Sequence, residues 1–193
     1  QNYDPYISSI MGIEGECGVR FGDVKVPKNV LQICHGDYQP AATSKPFDTG
    51  KWYHVAVAFN KGNVKVYING VEKLSGSTGK SSVSLGAKHT NEEDGSRCFW
   101  VGYSYKDDRY FDGVVSEVRI WNRALTAEEI QATNHFYTIE PESEGLIAYW
   151  KFDEGSGETI RDHTGNNNSG SAHETLKWNQ VSLPEAPSGD GDN

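Results

Sequence analysis

Long apolar runs are missing from this 193-residue chain. No stretch approaches the roughly 18 apolar residues that a membrane-crossing helix needs, so a helical span is excluded. Basic residues are scarce: 18 Lys and Arg stand against 27 Asp and Glu, for a net charge of −9. A nucleic-acid binder needs a basic face for phosphates, and that class drops out. Neutral ligands, cations and proteins remain as partners. Cysteine falls to three, Cys17, Cys34 and Cys98, with no Cys-x-x-Cys pair and no histidine at zinc spacing. That argues against a zinc site. One disulfide plus a thiol, or three buried thiols, are both open readings. The start, Gln1-Asn2-Tyr3-Asp4-Pro5, lacks the charged and apolar parts of a secretory leader. Either a leader was removed or the chain is a fragment of a longer protein. Gly-x-Ser-x-Gly is absent too, as is any Cys/His arrangement of motif quality.

What is present points to strands. The chain has 21 Gly, 5 Trp and 10 Tyr against a single Met. Its length suits one domain, expected over residues 1–184, with a flexible acidic tail at 185–193. From Lys51 to Phe59, Tyr53, Val55, Val57 and Phe59 share one face, while Trp52, His54, Ala56 and Ala58 share the other. Both faces are largely apolar, as in a strand buried inside a two-sheet sandwich. Asn60 to Asn63 reads as a turn, Val64 to Ile68 as the returning strand. Asn69-Gly70 then gives the strongest short hairpin signal, because a type I′ turn needs positive φ at both central residues. Residues 51–74 are therefore a three-stranded meander. Further strands are expected at 9–15, 17–21, 30–34 (after a Pro-containing turn), 98–103, 114–121 and 145–152, with a last one at 181–183. Thr126-Ala127-Glu128-Glu129 is a capping box and predicts one short helix, ending near Asn134. So many short strands with one helix predict an all-β fold: a two-sheet jelly-roll β-sandwich, with a closed barrel as the alternative.

Several segments carry a family resemblance. They are Gly50-Lys51-Trp52-Tyr53-His54-Val55-Ala56-Val57, Val66-Tyr67-Ile68-Asn69-Gly70, and the run from Gly113 through Glu117-Val118-Arg119-Ile120-Trp121 to Leu125. With Gly145 to Gly157 and Asp162-His163-Thr164-Gly165-Asn166, they resemble the concanavalin A-like lectin/glucanase superfamily, in its laminin G-like, pentraxin-related branch. The likeness runs over about residues 10–183. In most such modules the Trp-x-Phe-Asp-Glu-Gly-Ser-Gly segment comes first; here it comes last. Either the domain is circularly permuted, or a second one begins at 145 and is cut short. Too few residues remain after 144 for a second sandwich, which favours permutation. The arrangement resembles the C-terminal domain of Bacteroidetes surface proteins beside glycan-utilisation machinery, often lipoproteins with further domains upstream.

The resemblance implies candidate sites. A glucanase would need closely spaced carboxylates on one strand, and the Glu-x-Asp-x-x-Glu pattern is absent. Glu14 and Glu16 share a strand face but have no third acid at the right step, so no enzyme activity is expected. A structural calcium is implied on the Asp162 loop, held by Asp162, Asn167 and Glu117; calcium takes six to eight oxygens. The plainer reading is an Asx turn without metal. The loop from Tyr103 to Asp112 matches the position of the pentraxin ligand loop. Aromatic faces stack on sugar C–H, and acids and arginine hold hydroxyls. Tyr103, Tyr105, Asp107, Asp108, Arg109 and Tyr110 are the candidate ligand contacts, against a polar loop whose tyrosines only pack. The loops at 35–38 and 89–91 have similar chemistry. Trp52, Trp121 and Trp150 are expected in the core, and His54 as a satisfied strand histidine. The implied function is a non-catalytic module that binds an oligosaccharide or polysaccharide at the cell surface, on an outer-membrane lipoprotein, near other glycan-uptake proteins. A protein-interaction module is the first alternative and a hydrolase the second.

Overall fold

The computed structural model describes residues 7–13, 15–23, 25–83, 98–104, 109–137, 139–172 and 176–184. Eleven strands and one short α-helix are found there. Three strands, β1 (Ser8–Ile13), β2 (Cys17–Asp23) and β3 (Val26–His35), form an antiparallel meander. The expected meander follows as β4 (Val55–Asn60), β5 (Asn63–Ile68) and β6 (Val71–Ser77). Its second hairpin is the type I′ turn that Asn69-Gly70 predicts, with φ of 50° and 78° at the two residues and Ile68 facing Val71. Strand β7 (Trp100–Val101) pairs with β1, giving one sheet ordered β3-β2-β1-β7; the β4-β5-β6 sheet stands apart from it.

The two sheets meet face to face. Val19, Leu31 and Ile33 from the first sheet and Val64, Val66 and Ile68 from the second form one buried cluster with Ala42. Phe21, Phe47, Tyr53, Val55 and Phe59 pack around it. This is the expected β-sandwich, but the strand expected from 51 begins only at Val55 and is an edge strand with no fully buried residue, Val57 being 38% exposed.

Near the C-terminus, β8 (Val118–Trp121) pairs antiparallel with β9 (Leu146–Trp150). Tyr149, fully buried, packs there with Ile139, Leu146 and Trp121. The segment from 145 thus pairs with β8, in a two-stranded sheet of its own. Two-residue strands β10 (Thr159–Ile160) and β11 (Gly170–Ser171) pair beyond it.

Between β8 and β9 lies helix α1 (Ala127–Gln131), capped as its sequence predicts. The Glu129 N–H donates to Thr126 Oγ1 at 3.2 Å, and the Thr126 N–H donates to Glu129 Oε2 at 2.8 Å. Arg123 holds the same carboxylate, and with the Thr126 N–H it draws the Glu129 carboxyl down to about 2. Ile130 buries the inner face. Thr126→Ala should cost about 1 kcal/mol of stability, read as a shifted urea midpoint with an unchanged slope.

Several expectations need correction. Strand β3 begins at Val26 and runs through Pro27, where a turn was expected. It is an edge strand, where a residue without an N–H is tolerated. The strands expected at 98–103 and 114–121 shrink to Trp100–Val101 and Val118–Trp121. Glu117 takes φ 58°, which breaks the second. Strand β9 stops before Phe152, at φ 60°. Helix α1 gives way at Ala132 to a 3₁₀ turn, Thr133–Phe136. Residues 181–183 are not a strand. The tail 185–193 lies outside the described residues. Cys17 and Cys34 are half-buried and Cys98 is exposed, so the all-buried reading does not hold.

Candidate functional site

The described ends of the candidate ligand loop are fixed to β1 and β7. Ser8 Oγ donates to the Tyr110 carbonyl at 3.1 Å, and the Ser9 N–H donates to the Arg109 carbonyl at 3.2 Å. The buried hydroxyls of Ser9 and Ser104 meet at 2.5 Å. At the base, the Gly102 N–H donates to the Ile10 carbonyl and the Phe111 N–H to the Gly102 carbonyl. Phe111 stacks on Phe21, centroids 6.2 Å apart. Both shoulders of the loop are therefore fixed to the sandwich.

Those shoulders bring three aromatic rings together. Tyr103 and Tyr110 lie 4.9 Å apart, and Trp100 meets Tyr103 edge-on at 5.1 Å. Tyr110 is 41% exposed, and Arg109 beside it is half-buried. Of the six candidate contacts, Tyr103 and Tyr110 meet ring to ring, Arg109 is tied to β1 through its carbonyl, and Tyr105, Asp107 and Asp108 lie outside the described residues. Trp100 was missing from the sequence-based set. Its signal was its place three residues before Tyr103, hidden because it also fits a strand.

The other candidate loops differ. His35 is buried, its Nε2 3.1 Å from the Ser82 carbonyl and its ring edge-on to Phe59. Tyr38 packs on the main core. Residues 89–91 lie outside the described residues. A cavity of about 1150 Å³ borders β4 and the 114–125 segment. Its lining is mainly apolar, with Phe47, Val55, Phe59 and Val114 among the walls. A hydroxyl-rich ligand is better matched by the aromatic surface at Trp100, Tyr103 and Tyr110.

Asp162 is the hub of its loop. Its Oδ1 accepts the Tyr149 N–H at 3.1 Å and the Thr164 N–H at 3.0 Å; its Oδ2 accepts the Asn168 N–H at 3.0 Å. The Thr164 hydroxyl lies within 3.0 Å of both oxygens. Burial works to raise this carboxyl, but the donors of Thr164, Asn168 and Tyr149 outweigh it and hold it below the usual value. Glu117 is engaged elsewhere, by Arg119 at 2.7 Å and by the Tyr149 hydroxyl. The two carboxylates thus bind opposite ends of Tyr149. Asn167 is exposed with φ 61°. As arranged, these three residues do not fit a calcium shell, because protein donors already fill the acceptor sites of Asp162. The loop has the Asx-turn character of the metal-free reading.

The expected core tryptophans are half-buried rather than central. Trp121 packs beside Tyr149, and Trp150 stacks on Phe99 at 5.8 Å while its indole N–H donates to the Asn168 carbonyl. His54 is not satisfied: its Nδ1 is buried without a partner.

Comparison with known proteins agrees with this fold. The family model Laminin_G_3, described as the concanavalin A-like lectin/glucanases superfamily, matches residues 16–131, and the chain belongs to that family. A candidate carbohydrate-binding protein from Bacteroides ovatus superposes with a TM-score of 0.71 at 29% identity, over 90% of this chain and 52% of that one. Human adhesion G-protein coupled receptor D1 is 34% identical over 85 residues, which is 41% of this chain and 8% of the receptor. The chain therefore spans about half of the first protein and a small part of the second. The domain fits a binding module.

Proposed function

We propose that this domain binds a glycan without catalysis, at a cell surface, as one part of a longer protein. The observation that carries the reading is the ring cluster of Trp100, Tyr103 and Tyr110. Such a surface gives a pyranose an apolar face to stack on. The Bacteroides ovatus neighbour supports a carbohydrate as the ligand, and a glycan-utilisation system as the setting. Its greater length supports further domains in the parent protein, with glycan-uptake proteins as partners. The absence of the Glu-x-Asp-x-x-Glu pattern supports binding without turnover.

A glycan array followed by calorimetry tests this. Tyr110→Ala should weaken the best array hit by roughly 1–2 kcal/mol, or about five- to thirtyfold. Its melting temperature should fall by only a few degrees, because Tyr110 sits at the surface, 41% exposed. Binding unchanged in both Tyr110→Ala and Tyr103→Ala would remove the site. The likeness to an adhesion receptor favours a second reading, a protein-binding module. A silent array together with a co-purifying protein would select it.

A further inference from the structure

We propose that the cavity bordered by β4 and the 114–125 segment binds an amphipathic anion, a single carboxylate carried on an apolar chain. The cavity holds about 1150 Å³, just above the roughly 300–1,000 Å³ of most small-molecule sites. Phe47, Val55, Phe59, Val114 and Trp121 are among its walls and give an apolar body its surface. The polar groups at its border select the head. Arg119 and His54 both line the cavity. Each has a buried nitrogen without a hydrogen-bond partner, Arg119 Nε and His54 Nδ1. Buried polar atoms are nearly always paired, and two orphans bordering one cavity mark the place of a polar ligand group.

The Arg119 side chain is only 7% exposed. Its Nη1 donates to the His135 carbonyl at 2.6 Å, and its Nη2 donates to Glu117 and to the Tyr137 carbonyl. Those bonds lock the guanidinium plane and leave the Nε–H unspent. Arginine nitrogens only donate, so the missing partner of Nε is an acceptor. His54 lies near enough for the Arg119 charge to act on it, and a ring nitrogen that carries its proton is a second donor. A carboxylate offers one oxygen to each, and its charge strengthens both bonds. An amine head is excluded. The lining charge agrees: Lys51, Lys61, Arg119 and Arg123 stand against one acid, Glu117, in a chain with 27 acids and 18 bases. That excess is mild, because Glu117 balances Arg119, while Asp48 and Glu129 take Lys51 and Arg123. It suits a single carboxylate better than a phosphate, whose larger charge costs more to bury. Trp100, Tyr103 and Tyr110 are not among the walls, so this site does not depend on the glycan reading.

The test titrates the whole chain with decanoate by calorimetry, beside acetate for the head alone and 1-decanol for the body alone. Decanoate should bind once per chain and raise the melting temperature. Acetate should give no heat at the same concentrations. Decanol should bind at least about tenfold more weakly, the least that a hydrogen bond to a charged group commands. His54→Phe removes one donor and keeps a ring against Phe136, and it should weaken decanoate by about tenfold. Val114→Trp fills the cavity from a residue that is itself exposed. It should block decanoate while the urea midpoint stays where it is, which shows the fold intact. Absence of saturable decanoate binding overturns the proposal. So does decanol binding as tightly as decanoate, and so does decanoate binding that both variants leave unchanged.

Discussion

Replacing Asp162 by alanine is expected to cost about 3–5 kcal/mol, a large fraction of the 5–15 kcal/mol that holds a domain folded. The residue is 6% exposed, and its carboxylate accepts three backbone N–H groups and a hydroxyl. Hydrogen bonds to a charged group contribute about 1.5–3 kcal/mol each, and orphaning a buried donor costs about 1–3 kcal/mol. The sum of those ranges is too large, because water can reach the exposed side of the 165–169 loop and satisfy the Thr164 hydroxyl. The Tyr149 N–H lies deeper, on a residue that is 0% exposed at the centre of the C-terminal cluster. Loss of the hub therefore reaches the β8–β9 pair as well as the loop. Asp162→Asn should cost about half as much. It keeps one carbonyl acceptor and turns an amide donor toward one of the remaining donors. Urea denaturation in excess chelator checks both, so that no ion contributes. An alanine variant within about 1 kcal/mol of the parent would show that the loop does not clamp β9.

The Asp162 hub illustrates what can be read from a sequence like this one. Asn69-Gly70 and the Thr126 capping box are local: the residues that set the conformation are adjacent, and both are found as expected. The two-faced apolar pattern of 51–59 overstates its burial, because β4 starts only at Val55 and lies at a sheet edge with no fully buried residue. Strand ends are less legible when distant partners set them. Glu117 leaves the strand with its carboxylate on Tyr149, 32 positions away, and nothing near residue 117 signals that. Pro27 reads as a turn until the strand order places β3 at an edge. The candidate ligand loop was half legible. Its tyrosines stood out between strands, while Trp100 was absorbed into one. Asp153 and Glu154 belong to one family motif and His163 to another, and only the fold brings them within 4.8 Å. His54 looked like an ordinary strand residue because its neighbours Arg119 and His135 come from β8 and the 3₁₀ turn.

That surrounding makes His54 a source of acid instability, with an expected loss of about 3 kcal/mol between pH ~6.5 and pH ~4. Its backbone is pinned: the N–H donates to Asn69 Oδ1 at 2.9 Å, and the carbonyl accepts the Asn69 N–H at 2.8 Å. Its ring meets Phe136 edge-on at 4.8 Å, and Nδ1 has no partner. Burial first, then the charges of Arg119 and His135, lower its pKa to about 4. An unfolded histidine titrates near 6.5. Between those two values the unfolded chain binds a proton that the folded chain refuses, so stability falls as pH falls. The gap of roughly 2.5 units, at about 1.36 kcal/mol each, sets the magnitude. His135 adds in the same direction, since burial, Arg119 and Arg123 outweigh Glu129 and lower it too. Carboxylates also cost stability in acid, but mainly near and below their own values, so the loss above pH ~5 reports the histidines. His54→Phe removes the proton site, keeps an aromatic ring against Phe136 and presents Arg119 with a π face. Denaturation from neutral pH to about pH 4 should show a steep fall for the parent and a much shallower one for the variant. Parallel curves would place the acid sensitivity elsewhere.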